Sequence, residues 1–453
     1  MAPNTTAVPA RRDGSIDGFA KRIASRTASG IANDVRAQIH AGEIRPGTRL
    51  PAIRDVARAL DVSPTTVQEA WNQLTRAGML RASGRRGTLV LPVGSRVEIQ
   101  TPSGVLSVDR ADGAPDPSLF PPLDEAILAG MRSPDLHAHD FAFVTTELLG
   151  AVKRTWPFRA ESWTTADGDW HGNFLGVQAV LTPGAPVAVE QPTMMRTLTL
   201  LRHLQVPAIG VEWDDEGPSP DMLRAALRRG AGAFVYQPRG HVPTGRRVSD
   251  RRLDELASVL ERHPRVQVFE DDTLGPLCGG RDLSLGALLA GRVLRHRSYC
   301  AAFGLDLRTS VLAGPEQLVR AVNRIRGMSG VWNSRILQGA LAYLLKDART
   351  RRLVDRAART YRRRRSTLVA ALADRGVHIG GEDGLIVWLP VADEERAFSG
   401  LAHAGVEAGL GSTSWLTPRR TGHYLRVETG RLSTQALEIE YLADSLARFA
   451  RTD

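Results

Sequence analysis

The chain of 453 residues is long enough for two or three domains, and its apolar content of 42% is ordinary for globular folding. No apolar run approaches the length of a membrane span, and the N-terminus lacks a signal-peptide core, so we expect a soluble cytoplasmic protein without a membrane partner. Two thiols, Cys278 and Cys300, exclude a disulfide framework and a cysteine-based metal site, while the net charge of +10 directs attention to where the basic residues lie.

The basic residues are concentrated near the N-terminus. Residues 1–20 have no periodicity and are predicted to be a disordered tail. Residues 21–93 then hold 12 basic and five acidic side chains, a net charge of +7. Such a segment either binds nucleic acid or forms a solvated basic face, and the pattern of elements decides between them.

That pattern predicts three helices and a hairpin between residues 21 and 93. Ser63 is a suitable N-cap for the third helix, and Pro64 suits its first position. Residues 79–82 and 88–91 are the predicted strands of the hairpin. Apolar faces of the first two helices comprise Ile31, Val35 and Ile39, then Ile53, Val56, Ala57 and Leu60.

Three helices followed by a hairpin predict a winged helix-turn-helix domain. The third helix would place Thr65, Thr66 and Gln68 against base edges in the major groove. Winged helices also serve as protein-interaction modules, but few carry this many arginines, so double-stranded promoter DNA is the predicted partner. Phosphate contacts are predicted for Arg45, Arg49, Arg54 and, at the tip of the hairpin, Arg85 and Arg86.

The run from "IRPGTRLPAIRDVARAL" to "LRASGRRGTLV" (44–90) resembles the DNA-binding domain of the GntR family almost motif for motif. Two departures lie on the third helix, where that family commonly has arginine in place of Pro64 and of Gln68. The resemblance therefore implies an unusual operator sequence.

Residues 94–114 have mixed polarity and are predicted to be an interdomain linker. Short apolar segments then alternate with helical ones, which predicts an α/β layer with a mainly parallel sheet. A long basic helix over 348–373 leads to a smaller C-terminal α/β unit, about 350–453, and its run of four arginines at 362–365 is predicted to be solvated. The predicted strands are 187–190, 209–213, 233–237, 266–270, 293–298 and 310–313.

Several stretches in this region resemble the fold-type-I aminotransferase domain of MocR-type regulators, the GntR subfamily that fuses these two modules. They are "DGAPDPSLFP" (112–121), "LTPGAPVAVEQPT" (181–193), "YQPRGHVPTGRRVS" (236–249), "FEDDTLGPL" (269–277) and "YLRVETG" (424–430). The resemblance implies an aminotransferase-like effector and dimerisation domain over residues 115–453.

In such enzymes pyridoxal 5'-phosphate (PLP) forms an imine with a lysine, in a Ser-x-Ser-Lys sequence that precedes a Leu-Arg pair. Here the stretch is "SYCAAFGLDLR" (298–308), which retains Ser298 but places Ala301 at the lysine position. The chain has three lysines, Lys21, Lys153 and Lys346, and a shift of a few residues brings none of them to this position. The resemblance thus implies a domain without a catalytic residue.

Other family positions have also changed. Asp169 replaces the polar residue of the phosphate cup, where a carboxylate would repel phosphate at short range. Met194 replaces the stacking aromatic residue, Val242 replaces an asparagine, and Thr273 replaces a tyrosine.

Three family positions survive: Asp271 for the pyridine nitrogen, Arg308 for phosphate and Arg426 for a carboxylate. Each has a structural alternative, because Asp271 suits a helix cap, Arg308 suits a pair with Asp169, and Arg426 suits a salt bridge. Trp170, His171 and His241 fall in the predicted cleft, although such residues more often serve packing than ligand binding.

Three functions follow from these patterns. The leading hypothesis is a homodimeric DNA-binding regulator whose aminotransferase-like domain senses a small-molecule effector without catalysis and needs no cofactor. The second is a MocR-type regulator that binds PLP non-covalently through Asp271 and Arg308. The third is a PLP-dependent aminotransferase with an accessory domain.

Overall fold

The computed structural model describes residues 16–451, except 41–42, 46, 77–78, 83–86, 91–95, 102–103, 110–112, 139–141, 329–332, 417–421 and 434. The chain divides into two compact units. One comprises the residues up to 110 together with 398–405, and the other comprises 111–397 and 406–453.

The first unit contains a three-stranded antiparallel sheet in the order β1-β3-β2, with helices beside it. The predicted helices and hairpin strands are confirmed to within three residues at their ends. The short strand β1 was not predicted, because two residues carry no periodicity. Its elements are α1 (Ile16–Ala20), α2 (Ala28–His40), β1 (Arg49–Leu50), α3 (Ile53–Leu60), α4 (Pro64–Arg76), β2 (Leu80–Ala82) and β3 (Thr88–Val90).

The predicted tail is wrong for its last five residues, which form α1. Phe19 is buried and meets Trp71 edge-on, with ring centroids 6.5 Å apart. Phe19 and Ala20 both belong to the buried core of this unit, so packing against residues distant in sequence holds a segment that has no periodicity of its own. Trp71 lies 52 residues away along the chain, so local sequence gave no signal for it.

The predicted linker contains a two-stranded antiparallel sheet of β4 (Arg96–Thr101) and β5 (Gly104–Asp109). The alternation of Val97, Glu98, Ile99 and Gln100 is the period-two pattern of a strand. The sequence interpretation considered helical periodicity alone and therefore missed it.

The second unit is built on a seven-stranded sheet in the order β6-β12-β11-β10-β9-β7-β8. Neighbouring strands from β8 to β11 are parallel, and β12 is antiparallel to both of its neighbours. The strands are β6 (Ser162–Ala166), β7 (Val187–Gln191), β8 (Ala208–Glu212), β9 (Ala233–Tyr236), β10 (Gln267–Asp272), β11 (Val293–Ser298) and β12 (Ser310–Gly314).

Helices cover both faces of this sheet, as a parallel sheet requires. Alternate residues of one strand enter opposite cores: Val268 joins the core with α9 and α10, and Phe269 joins the core with α7. The helices of the unit before the C-terminal part are α5 (Asp124–Gly130), α6 (Thr146–Val152), α7 (Asp169–Val180), α8 (Met195–His203), α9 (Pro220–Arg228), α10 (Asp250–Glu261), α11 (Cys300–Phe303), α12 (Glu316–Arg326) and α13 (Arg335–Lys346).

The C-terminal part contains a second, antiparallel sheet in the order β13-β15-β14. Its elements are α14 (Ala348–Ala373), β13 (Ile386–Val391), α15 (Glu394–His403), β14 (Gly409–Leu410), β15 (His423–Glu428) and α16 (Ala436–Ala447). The predicted fold class is therefore confirmed, and no helix of the described residues has the length and apolarity needed to cross a membrane.

The prediction of a solvated arginine face on α14 is wrong for Arg365. This side chain is buried and donates to the carbonyl oxygens of Gly381 and Gly380 at 2.6 and 2.7 Å. Burial lowers the pKa of Arg365 to about 10. Arg364 is paired with Asp116 at 2.8 Å. Arg364 and Arg365 therefore both make contacts within the protein instead of facing solvent.

Candidate functional site

The helix-turn-helix of the first unit is formed by α3 and α4, which a tight turn connects. Asp61 has a left-handed backbone with φ of 54°, a conformation that aspartate tolerates better than most residues. The Ser63 hydroxyl accepts a hydrogen bond from the Thr66 amide at 3.1 Å, so Ser63 caps α4 as predicted. The turn thereby fixes the start of α4 against α3.

The residues predicted to contact DNA lie at the surface of this unit. Thr65 and Gln68 are exposed near the start of α4, and Thr66 is half-buried. Gln68 donates to Asn72 one turn later, at 3.1 Å, and the sequence interpretation missed Asn72 although its spacing of four placed it on the same face. The predicted phosphate contacts Arg45, Arg49 and Arg54 are exposed, whereas Arg85 and Arg86 lie outside the described residues.

In the second unit, Asp271 lies near the carboxyl end of β10 and is buried. One of its oxygens accepts from His296 Nδ1 at 2.8 Å, and the other accepts from Asn173 at 2.9 Å and Thr273 at 3.1 Å. A Cβ at Gly172 would lie 2.1 Å from His296 Nε2, so only glycine allows α7 to approach this closely. The sequence interpretation identified Asp271 and Thr273 but missed His296, which the strand register places beside Asp271.

Asp272 points away from that group into a cluster of arginines. Burial opposes ionisation of the Asp272 carboxyl, but Arg239, Arg297 and Arg295 outweigh it and hold its pKa well below the ordinary value. Arg239 binds the carboxylate through two bonds of 2.9 and 2.8 Å. This network anchors the end of β10 and therefore positions Asp271.

At the first turn of α7, Asp169 is paired with Arg196 of α8 at 2.8 Å. The Arg196 guanidinium also lies over the ring of Trp170, 4.6 Å from its centroid. The predicted alternative of an Asp169–Arg308 pair is wrong: Arg308 is exposed and has a left-handed backbone with φ of 40°. The sequence interpretation missed Arg196, because only the tertiary fold brings α8 beside α7.

Ala301 lies half-buried in α11, directly after β11. Ser298, the last residue of β11, is buried, and its hydroxyl accepts from the Cys300 amide at 3.3 Å. Lys21, Lys153 and Lys346 are all exposed, and Lys346 lies at the end of α13. His171 is half-buried, and its Nδ1 accepts from the Asp167 amide at 3.1 Å, so this ring contributes to local structure.

A buried apolar cluster joins the two sheets of the unit. Met194 and Val242 of the large sheet region pack with Ile386 of β13, and all three are less than 10% exposed. Arg426 is buried in β15 at 1% exposure, opposite Trp388 in the strand register. The sequence interpretation had placed Met194 and Arg426 in an open cleft.

His241 is buried and neutral. Its Nε2 lies 3.0 Å from the Pro192 carbonyl, which can only accept, so Nε2 carries the proton and Nδ1 accepts from Thr244 at 2.7 Å. Burial lowers the pKa of His241 to about 3 and raises the pKa of Glu190, whose carboxyl lies 3.6 Å away, well above its ordinary value.

Comparison with known proteins agrees with both units. Residues 27–90 match the profile of bacterial regulatory proteins of the gntR family, and residues 131–436 match that of aminotransferase class I and II. The vitamin B6 salvage pathway transcriptional repressor PtsJ of Salmonella typhimurium is 31% identical, over 83% of this chain and 88% of the relative. The chain belongs to the MocR type of GntR regulators.

Other relatives of this MocR-type chain are more distant. The pyridoxine biosynthesis regulator PdxR of Corynebacterium glutamicum is 25% identical, over 76% of this chain and 78% of the relative. A kynurenine aminotransferase of Pyrococcus horikoshii, solved with PMP, superposes with a TM-score of 0.67 at 19% identity, covering 74% of this chain and 89% of that one. The likeness to this aminotransferase shows the fold alone.

Proposed function

We propose that this MocR-type regulator binds promoter DNA and uses its aminotransferase-like domain, without catalysis, to sense an effector and to dimerise. The proposal rests on Ala301, which stands at the position that the family resemblance assigns to the Schiff-base lysine. A methyl group cannot form an imine, and the three lysines of the chain are exposed elsewhere. The proposed site of action is the cytoplasm, where the promoter DNA is.

The residues around Ala301 do not fit a covalently bound PLP. A phosphate beside Asp169 would find Arg196 already paired with that carboxylate at 2.8 Å, so this arginine is not left to neutralise the phosphate. Met194 and Val242, which the family resemblance places at cofactor positions, are buried in an apolar cluster with Ile386. We derive no reaction step from this site.

On DNA, Thr65, Thr66 and Gln68 would read bases, while Arg45, Arg49, Arg54, Arg85 and Arg86 would contact phosphates. A homodimer would present two such helices to paired half-sites. An effector would act only through a difference in affinity between two arrangements of the domain.

Two assays test this function on the full-length protein. We expect specific retardation of its own promoter fragment at moderate salt, and no keto-acid production from a panel of amino acids with PLP added. Failure to retard the fragment would refute DNA binding, and steady keto-acid release would refute the absence of catalysis.

A second candidate, non-covalent PLP binding, is favoured by one observation. Asp271 is held by His296 and Asn173 in a fixed orientation, as the partner of a pyridine nitrogen would be. An absorbance spectrum separates the candidates: free-aldehyde PLP in the purified protein, or an imine band in Ala301→Lys, supports this one. A colourless protein that added PLP does not change supports the leading proposal.

A further inference from the structure

A pocket of about 210 Å³ lies between the large sheet region and the C-terminal sheet of the second unit. None of the residues predicted for the former cofactor site lines it, including Asp169, Met194, Asp271, Ala301 and Arg426. It is therefore a separate cavity beside that site.

Four aromatic side chains line this pocket: Trp213, Trp388, Trp415 and Tyr424. Trp388 and Tyr424 project from adjacent strands and stack with centroids 4.8 Å apart and planes inclined by 9°. On the opposite side, the Trp213 indole donates to Glu190 at 2.8 Å and stacks on His241 at 4.2 Å. With Trp415, three of the eight tryptophans of the chain face this one cavity.

Trp213 is held rigidly, which makes it a wall rather than a mobile cover. Glu190 is fully buried, accepts from the indole N–H at 2.8 Å, and has a pKa that burial raises well above the ordinary value. It also accepts from the Gln237 amide at 3.0 Å. The ring consequently keeps its orientation when the pocket fills, so stacking on it costs little entropy.

The charge of the lining is positive. Arg246 and Arg451 line the pocket, and none of the described residues that line it is an aspartate or a glutamate. Arg246 is oriented by the Asp214 carbonyl at 2.9 Å and by Asp215 at 2.7 Å. Because the Asp215 side chain is 90% exposed, water screens this pair, and an anion in the pocket still gains from the guanidinium.

Size limits the ligand further. An apolar cavity of about 150 Å³ in a protein can hold benzene. A pocket of about 210 Å³ thus accommodates one ring, or a compact fused pair, with a single acidic group. Aromatic walls select flat rings, and arginine selects a carboxylate over an amide.

We propose that this pocket binds a flat aromatic carboxylate, and that such a molecule is the effector of the regulator. The inference rests on the proposed function, in which the domain senses an effector, and it moves the sensing site away from the former cofactor position. Since one wall belongs to the large sheet and the other to the C-terminal sheet, the ligand stabilises the arrangement that brings Trp213 and Trp388 together.

Isothermal titration of the full-length protein with indole-3-carboxylate tests the pocket. We expect saturable binding, weaker binding of the uncharged indole-3-carboxamide, and weaker binding of the non-aromatic cyclohexanecarboxylate. Trp388→Leu should abolish binding, and Arg451→Gln should weaken it about tenfold, the loss of one charge-assisted contact. Arg448→Gln, an exposed arginine three residues away that does not line the pocket, should bind as the wild type does.

Circular dichroism melts of each variant establish that it is folded, and Arg451 is exposed, so its replacement is not expected to unfold the chain. Equal binding by the acid, its amide and the non-aromatic acid would overturn the proposal, as would wild-type affinity in both Trp388→Leu and Arg451→Gln. No binding of the acid at millimolar concentration would also overturn it. A promoter gel shift run in parallel separates the two claims, because retardation without acid binding refutes this inference alone.

Discussion

The Asp169 carboxylate lies 2.8 Å from the Arg196 guanidinium, and the side chains are 11% and 16% exposed. The pair occupies the first turn of α7, which in the family resemblance is the phosphate cup. An internal cation here neutralises the carboxylate that a phosphate would otherwise meet. The pair thereby fixes the start of α7 against α8.

Arg196→Gln should therefore destabilise the protein, because it leaves a nearly buried carboxylate without its partner. We expect a loss of about 1–3 kcal/mol in the free energy of unfolding, measured by urea denaturation. Asp169→Asn in the same chain should recover part of that loss. The exposed Arg202→Gln on the same helix is the control and should change stability by less than about 0.5 kcal/mol. Equal free energies of unfolding for Arg196→Gln and Arg202→Gln would contradict the role of the pair.

Gln68→Ala should reduce discrimination between operator and altered sites by about 1–3 kcal/mol, because a side chain that reads a base edge is removed. Arg54→Gln should instead weaken binding to all sequences and reduce the salt dependence by about one phosphate contact. Fluorescence anisotropy titrations over a salt series measure both. Gln73→Ala is the control, since Gln73 lies on the same helix but faces Ser29. A loss of specificity in the control equal to that in Gln68→Ala would refute the assignment.

Stability should fall in mild acid because of His241. Its pKa is about 6.5 in the unfolded chain and about 3 in the folded one, so the unfolded state binds more protons between these values. The contribution of His241 to the free energy of unfolding is complete above pH 6.5. It decreases as pH falls and is smaller by about 2 kcal/mol at about pH 5. Urea denaturation at several pH values should show a shallower decrease in His241→Gln. The exposed His203→Gln should keep the slope of the wild type, and identical slopes in all three proteins would exclude His241 as the cause.

Arg365→Ala should cost about 2–4 kcal/mol, because two carbonyl oxygens lose a charged donor and a buried side chain is removed. Arg363→Ala, two residues away on the same helix and exposed, should change the free energy of unfolding by less than about 0.5 kcal/mol. Thermal and urea unfolding measure both. A similar small effect in the two variants would mean that Arg365 is solvated after all.

Local sequence was sufficient for most of the elements. Ser63 and Pro64 placed the start of α4, because a helix cap acts over a few neighbouring residues. The strand at Val293–Ser298 was also predicted to the residue. The strand β6 was not predicted. Its sequence, Ser162–Ala166, is polar in part and gains its place only by pairing with β12.

The candidate site shows the same distinction between local sequence and tertiary contacts. The sequence by itself determined that no lysine lies between Lys153 and Lys346, so the segment around Ala301 carries no side-chain amine of its own. It also determined which residues follow each strand of the sheet. Only the tertiary structure decided that Arg196 neutralises Asp169, that His296 orients Asp271, and that Trp213, Trp388 and Tyr424 surround one pocket. Those contacts join segments far apart in sequence, and their energies depend on distance and burial, which a linear pattern does not specify.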